Sequence, residues 1–342
     1  MAVIALAAHD PGGAAVLAAA APVLRARGHG LLWLPAGPAV RLWREAGEYV
    51  PDAVDAAAAA AAIAQALPGL LLTGTSFFDG FERALWAASR HLRIPSFAVL
   101  DSWTNIEQRF LPAETPPEQP DAFGVIDDNT RAQIAAEGWC RARIFVVGQP
   151  HLAARTERLK RRRKNRPSGS AKRIVFFSEP IIEDFGPTAR GFTQYEVATF
   201  VARALDGHPG VVLEIKPHPR ESDAGWRDWL ALTPNARFAA EDTETLLAAA
   251  DGVLGMTTMV LIEACLAGIP ALSLQPERPK ILNPVLEEMV PVVARRGEAA
   301  AAVRAWLKGL DRPARPSPRG EELLDGAARL VAAAEEILRG PA

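Results

Sequence analysis

Cysteine is nearly missing from this 342-residue chain. Its two cysteines, Cys140 and Cys265, are far apart and lack metal-ligand spacing. That excludes a disulfide scaffold or a zinc knuckle and leaves two small apolar side chains in a reducing compartment. Surplus charge is missing as well: a formal net charge of −2 gives no global field that would draw the chain to nucleic acid. No apolar run reaches the roughly 20 residues that a membrane span requires, and the Ala-rich stretches Ala14–Ala21 and Ala56–Ala62 fall short. The apolar N-terminus meets a turn within about ten residues and has no basic n-region, so it reads as a first strand and not an export signal. The expected location is the cytoplasm. A GxGxxG fingerprint is absent. So is a usable DxD, because Asp127-Asp128 opens a helix and reads as its cap. The chain is therefore expected to use neither metal nor cofactor.

What is present is alternation. The composition, 49% hydrophobic and 23% charged, is that of a globular protein, and the length suits two domains of about 150 residues each. Short apolar runs at Val3–Ala7, Leu31–Leu34, Leu70–Leu72, Ser96–Leu100, Ala122–Ile126 and Ile144–Val147 are separated by helical patterns. Strands apolar on both faces and divided by helices predict a doubly wound parallel sheet. Residues 155–173 then break the pattern with a run rich in Arg and Lys that ends in Pro, Ser and Gly. This reads as a solvated linker, with contact at an anionic membrane surface as the sharper alternative. After it the alternation restarts at Ile174–Phe177, Val211–Ile215, Gly252–Leu254 and Ala271–Leu274. The expected fold is α/β, two doubly wound Rossmann-like domains facing a cleft. The expected domains are 1–154 on the acceptor side, a basic linker over 155–172, and a donor-binding domain over 173–318. A last helix within 319–342 would cross back to the first domain.

Open parallel sheets bind ligands beyond the carboxyl ends of their strands, so polar residues just after each run are the candidates. His9, Asp10, Gly12 and Gly13 follow the first strand; Asp10 reads either as a general base toward an acceptor hydroxyl or as a plain helix cap. Asp101, Trp103 and Asn105 follow the fourth and resemble a sugar-contacting loop, with Thr75–Asp79 a weaker companion. In the second half, Lys216-Pro217-His218-Pro219-Arg220 holds an imidazole on a stiff turn suited to phosphate oxygens. Gly255, Thr257 and Thr258 form an anion cradle at a helix start, and Glu263, about a turn further, is placed to face a ribose. Ser178 and Glu179 end the first strand of this half and complete the donor set.

The KPHPR and GMTTMVLIEACLAGIPAL segments resemble bacterial glycosyltransferases of the B fold (GT-B). The likeness in pattern is to those that use CMP-activated sialic acid or Kdo in capsule and surface polysaccharide synthesis. His218-Pro219 matches that group's His-Pro motif and Thr257-Thr258 its paired hydroxyl motif. Glu183-Asp184 departs from its acidic motif because Phe185 precedes Gly186. The resemblance implies transfer of a sugar from a CMP- or UDP-linked donor to a glycan, lipid-linked or protein acceptor. His218 and Thr257-Thr258 would then hold the donor phosphate, with Asp10 or Asp101 as base. The same pattern occurs in CDP-glycerol transferases and in UDP-GlcNAc 2-epimerase-like enzymes; an epimerase would need a richer set of carboxylates than these motifs supply.

Overall fold

The computed structural model describes every residue except 78, 104–105, 111–117, 165, 167–170, 278–283, 316–317 and 341–342. The strands are β1 (Val3–Ala8), β2 (Gly30–Pro35), β3 (Leu70–Thr73), β4 (Ser96–Val99), β5 (Ala122–Val125) and β6 (Arg143–Val146), then β7 (Lys172–Phe177), β8 (Val211–Lys216), β9 (Ala236–Phe238), β10 (Gly252–Gly255), β11 (Ala271–Leu274) and β12 (Val292–Val293). The helices of the first half are α1 (Pro11–Ala26), α2 (Ala39–Glu45), α3 (Ala56–Ala66), α4 (Phe81–His91), α5 (Asp128–Glu137) and α6 (Pro150–Lys164). Those that follow are α7 (Ile181–Phe185), α8 (Gln194–Leu205), α9 (Asp223–Ala231), α10 (Thr243–Ala249), α11 (Met259–Leu266), α12 (Pro284–Met289), α13 (Ala299–Leu307), α14 (Pro318–Leu323) and α15 (Gly326–Arg339).

The chain divides into two compact units, Met1–Ala154 with Glu322–Ala342, and Arg155–Glu321. Unit 1 carries a parallel sheet in the order β2-β1-β3-β4-β5-β6. Side chains alternate across it, so Ile4, Leu6 and Ala8 join a core with α1 and α15, whereas Ala5 and Ala7 join one with α3 and α4. Both faces are covered, and that is why the strands read as unbroken apolar runs. The buried indoles keep their N–H groups satisfied: Trp43 donates to the Ala14 carbonyl at 2.8 Å and Trp86 to the Thr73 hydroxyl at 3.0 Å. The final helix α15 packs on α1 within this unit.

Unit 2 repeats the plan with the order β12-β11-β10-β7-β8-β9, again all parallel. Two parallel six-stranded sheets, each flanked by helices, make this an α/β fold of the GT-B kind. β9 and β12, unmarked in the sequence, are edge strands of three and two residues, too short to give a run to detect.

The basic stretch is not a linker over its first ten residues: 155–164 continue α6. The reason lies in what its cations touch. Arg158 and Arg162 reach Glu244. Arg163 donates to the carbonyls of Leu247, Ala248 and Ala250 at the end of α10, and Arg166 pairs with Asp251 at 2.7 Å. A guanidinium at a helix C-terminus satisfies orphan carbonyls and complements the dipole. These contacts all lie within unit 2, and Arg158 and Arg162 stay about half exposed. Among the described residues no helix is long and apolar enough to cross a membrane.

Candidate functional site

In unit 1 the loops after β1, β3 and β4 meet at one sheet edge, beside the start of α1. Asp10 holds the N-cap position of α1, with Pro11 next, yet its side chain makes no cap hydrogen bond. One carboxylate oxygen instead pairs with His9 Nδ1 at 2.9 Å and the other accepts the Phe77 N–H at 3.1 Å. The simple capping account of Asp10 therefore does not hold. Glu82, in the first turn of α4, accepts the His9 N–H and the Ser76 hydroxyl, each at 2.9 Å. Asp101 pairs with Arg109 at 2.6 Å, and the same guanidinium nitrogen donates to the carbonyl and hydroxyl oxygens of Thr75 at 3.0 Å. Gln149 donates to the Asp101 carbonyl at 2.9 Å.

Three carboxylates, a histidine and an arginine thus share this edge. Burial pushes the Glu82 carboxyl above the usual carboxylate range, and the charge of Asp10 adds to the effect. Burial also raises Asp101, against the opposing pull of Arg109. The glycines after β1 allow close packing inside unit 1. A β-carbon on Gly12 would stand 1.8 Å from Asp101 Oδ2, and one on Gly13 would stand 2.8 Å from the Gly74 α-carbon. Trp103 is likewise spent inside the unit: its indole N–H donates at 2.7 Å to Asp127, the residue that caps α5. Asn105 lies outside the described residues.

In unit 2, β10, β7 and β8 are neighbours, and their carboxyl ends bring the remaining candidates to a single edge. His218 is fixed by its backbone: its N–H donates to Glu221, which also accepts from Ser178 at 2.7 Å and from the Trp226 indole at 3.1 Å. Its Nδ1 accepts the Arg220 N–H at 3.2 Å, so in the neutral ring the proton sits on Nε2, free to donate outward. Burial and the Arg220 charge hold the imidazole below its ordinary value, which keeps that neutral form. Lys216 donates to the Glu241 carbonyl at 2.8 Å and Arg220 forks onto Asp184, so the cations beside His218 already have partners. Ser178 donates its hydroxyl to the Glu221 anchor.

The anion cradle at the start of α11 is filled by the chain itself. Glu179 accepts the Thr257 N–H at 2.6 Å and the Thr257 hydroxyl, while Thr258 caps α11 through Val260 N. Burial raises Glu179, opposed by bonds from Thr257, Thr258 and Met256. Gly255 is needed for packing, since a β-carbon there would lie 3.0 Å from the Thr258 methyl. Glu263 does not face a ribose: it is 7% exposed and paired with Arg155 at 2.8 Å. The apolar residues around it in α11 gave no sign that an arginine from α6 would claim it.

Glu82 and Glu221 are residues that sequence reasoning left out of the site, whereas Arg109 reads as part of the loop after the fourth strand. Glu82 and Glu221 are buried acids in otherwise ordinary helix-start and turn settings, a status that only tertiary packing confers. Among the described residues no group of three His, Cys, Asp or Glu side chains is arranged for a metal ion. Grooves of about 420 Å³ near His208 and about 610 Å³ near Trp139 open at the opposite, amino ends of the strands, away from this chemistry.

No protein-family model matches the sequence, and no curated protein matches it. Solved structures do match over their whole length. A UDP-GlcNAc 2-epimerase from Neisseria meningitidis bound to UDP-GlcNAc superposes with a TM-score of 0.71 at 12% identity, over 98% of this chain and 99% of that one. A putative UDP-N-acetylglucosamine 2-epimerase from Listeria monocytogenes gives 0.70 at 14% identity, over 99% and 97%. MurG of Acinetobacter baumannii gives 0.52 at 12% identity, over 98% of each chain. At such identities the likeness establishes the fold.

Proposed function

We propose that the chain is a nucleotide-sugar enzyme acting on the pyranose of a UDP-linked sugar in the manner of a UDP-GlcNAc 2-epimerase. The observation that carries this is the pair of acids that the fold brings to one edge of unit 1: Asp10 with His9, and Asp101 with Arg109. The motifs named both acids but did not show that they share one edge. The similarity to epimerase structures, one of them with UDP-GlcNAc bound, points the same way. Those neighbours lend no support to a CMP-sialic acid or Kdo donor, and a UDP donor replaces it in our reading.

Carbon 2 of N-acetylglucosamine has no adjacent carbonyl in the ring, so its proton can leave only as the C1–O bond to the diphosphate breaks and a C1=C2 double bond forms. Return of a proton to the other face of C2, with the diphosphate oxygen rejoining C1, gives the epimer and balances every atom. Two carboxyl groups suit such a cycle, one removing a proton and one returning it. Asp10 and Asp101 take those roles. In unit 2 the outward Nε2–H of His218 is a neutral donor suited to a phosphate oxygen.

Full-length protein incubated with UDP-GlcNAc in deuterated water tests this reading. Appearance of the 2-epimer with deuterium at C2, with no acceptor added, supports it. Sugar release that requires an added acceptor, without deuterium at C2, would replace it with the glycosyltransferase reading.

A further inference from the structure

Glu82 stands apart from the other acids of the unit 1 edge. It is 1% exposed; Oε1 accepts two hydrogen bonds, and the buried Oε2 has no hydrogen-bond partner. An ionised carboxylate would leave half its charge on a buried oxygen that no protein hydrogen bond meets, a costly arrangement for an acid. A proton on Oε2 removes that charge and leaves one unmade hydrogen bond. The charged groups nearby do not favour ionisation. Asp10 is anionic and close, Asp79 lies 3.7 Å from His9 Nε2, and the Arg109 guanidinium is committed to Asp101 and Thr75.

Two acids thus join the loops after β1 and β3. Asp10 accepts from the Phe77 backbone, while Glu82 accepts from the His9 backbone and the Ser76 hydroxyl. We propose that Glu82 is the positioning residue of this site, an uncharged acid that fixes His9 and Ser76 and so sets Asp10 without itself touching substrate. This rests on the reading of Asp10 as an acid–base group.

Glu82→Gln and Glu82→Ala in the full chain test it, with thermal melts confirming that each folds. Gln keeps the Oε1 acceptor and, like the neutral acid, places an N–H donor at the other position. In the infrared difference spectrum of wild type minus Glu82→Gln at neutral pH, a protonated-carboxyl band belonging to the wild type is expected. A difference confined to ionised-carboxylate bands overturns the uncharged state. In C2 exchange with UDP-GlcNAc, Glu82→Gln should stay within about threefold of wild type with the same pH profile, while Glu82→Ala lowers kcat by about tenfold or more at similar KM. Equal loss in both variants would mean that the Glu82 proton itself is transferred, and no loss in Glu82→Ala would remove the positioning role. Should no form of the protein turn over a UDP-sugar, the functional reading and the positioning role fall together, and the infrared band still decides the charge.

Discussion

The carboxylate of Asp101 rests against the backbone of Gly12, so closely that a β-carbon at position 12 would come within 1.8 Å of Asp101 Oδ2. The start of α1 and the end of β4 are therefore fitted to each other through a missing methyl group. Gly12→Ala must move Asp101, and with it the Arg109 pair. We expect a stability loss of about 1–3 kcal/mol from overpacking and a fall in C2 exchange of at least tenfold. Urea melts and the deuterium assay measure the two effects. An alanine variant with full activity would show that Asp101 can shift freely and has no acid–base role.

Asp101 and Arg109 are both nearly buried, with side chains 15% and 9% exposed. Removing one partner leaves the other charge stranded in a poorly solvated place. Arg109→Met should therefore destabilise the fold by about 3–5 kcal/mol, more than a surface pair would. Asp101→Asn keeps the shape and a hydrogen-bond acceptor for Arg109 but cannot take up a proton. Its C2 exchange should fall by about 10²–10⁴-fold while UDP binding, followed by calorimetry, stays within a few-fold.

The strands were legible because both faces of each central strand are buried, which turns topology into uninterrupted apolar runs such as Val3–Ala7 and Ile174–Phe177. The turn at His218 was legible because two prolines stiffen it. What could not be read was the use to which polar groups are put. Thr257 and Gly255 do mark a cradle, but nothing in the local sequence shows that Glu179, 78 residues away, fills it. Glu263 sits at a spacing that suits a ribose contact, and an arginine from α6 takes it instead. Glu82 looks like any first-turn acid until the fold buries it under His9.

Glu179 occupies the amides that an anionic ligand would want. If the diphosphate of a UDP-sugar binds at the start of α11, it must displace that carboxylate. Glu179→Ala should then bind UDP more tightly than wild type, by about three- to tenfold, which corresponds to about 0.7–1.4 kcal/mol. Isothermal titration with UDP reads this directly. Weaker binding in the variant would place Glu179 on the side of the ligand, holding Thr257 in position for it.

Glu221 collects three donors, from Ser178, Trp226 and the His218 backbone, and so fixes the imidazole. Glu221→Ala leaves those donors without their acceptor, at a cost of about 1–3 kcal/mol for each one that stays buried. His218→Ala, by contrast, leaves the Glu221 anchor in place and removes the outward Nε2–H together with the Nδ1 acceptor of the Arg220 N–H. We expect His218→Ala to melt near wild type and to weaken UDP binding by about tenfold, and Glu221→Ala to lose both. Equal melting temperatures for the two variants would contradict this division of labour.

The buried acids also dictate how stability responds to pH. Glu82, Asp101, Glu179, Glu221 and Glu263 are all held above the ordinary carboxylate range, and burial is the first cause in each. For such a group the folded state binds more protons than the unfolded state once the pH exceeds the unfolded value, so unfolding becomes easier as pH rises. The contribution is complete below that value and is lost as the pH passes through the raised one. Glu241 and Asp242, held low by Arg173 and Thr245, have the opposite sign, and their effect is confined to more acidic solution. From about pH 5 to pH 8 the melting temperature should therefore decline, and Glu82→Gln should flatten the slope because its amide cannot ionise. A wild-type melting temperature that climbs through this range, or an unchanged slope in Glu82→Gln, would show that Glu82 ionises without penalty and that the unpaired Oε2 finds a donor in solution.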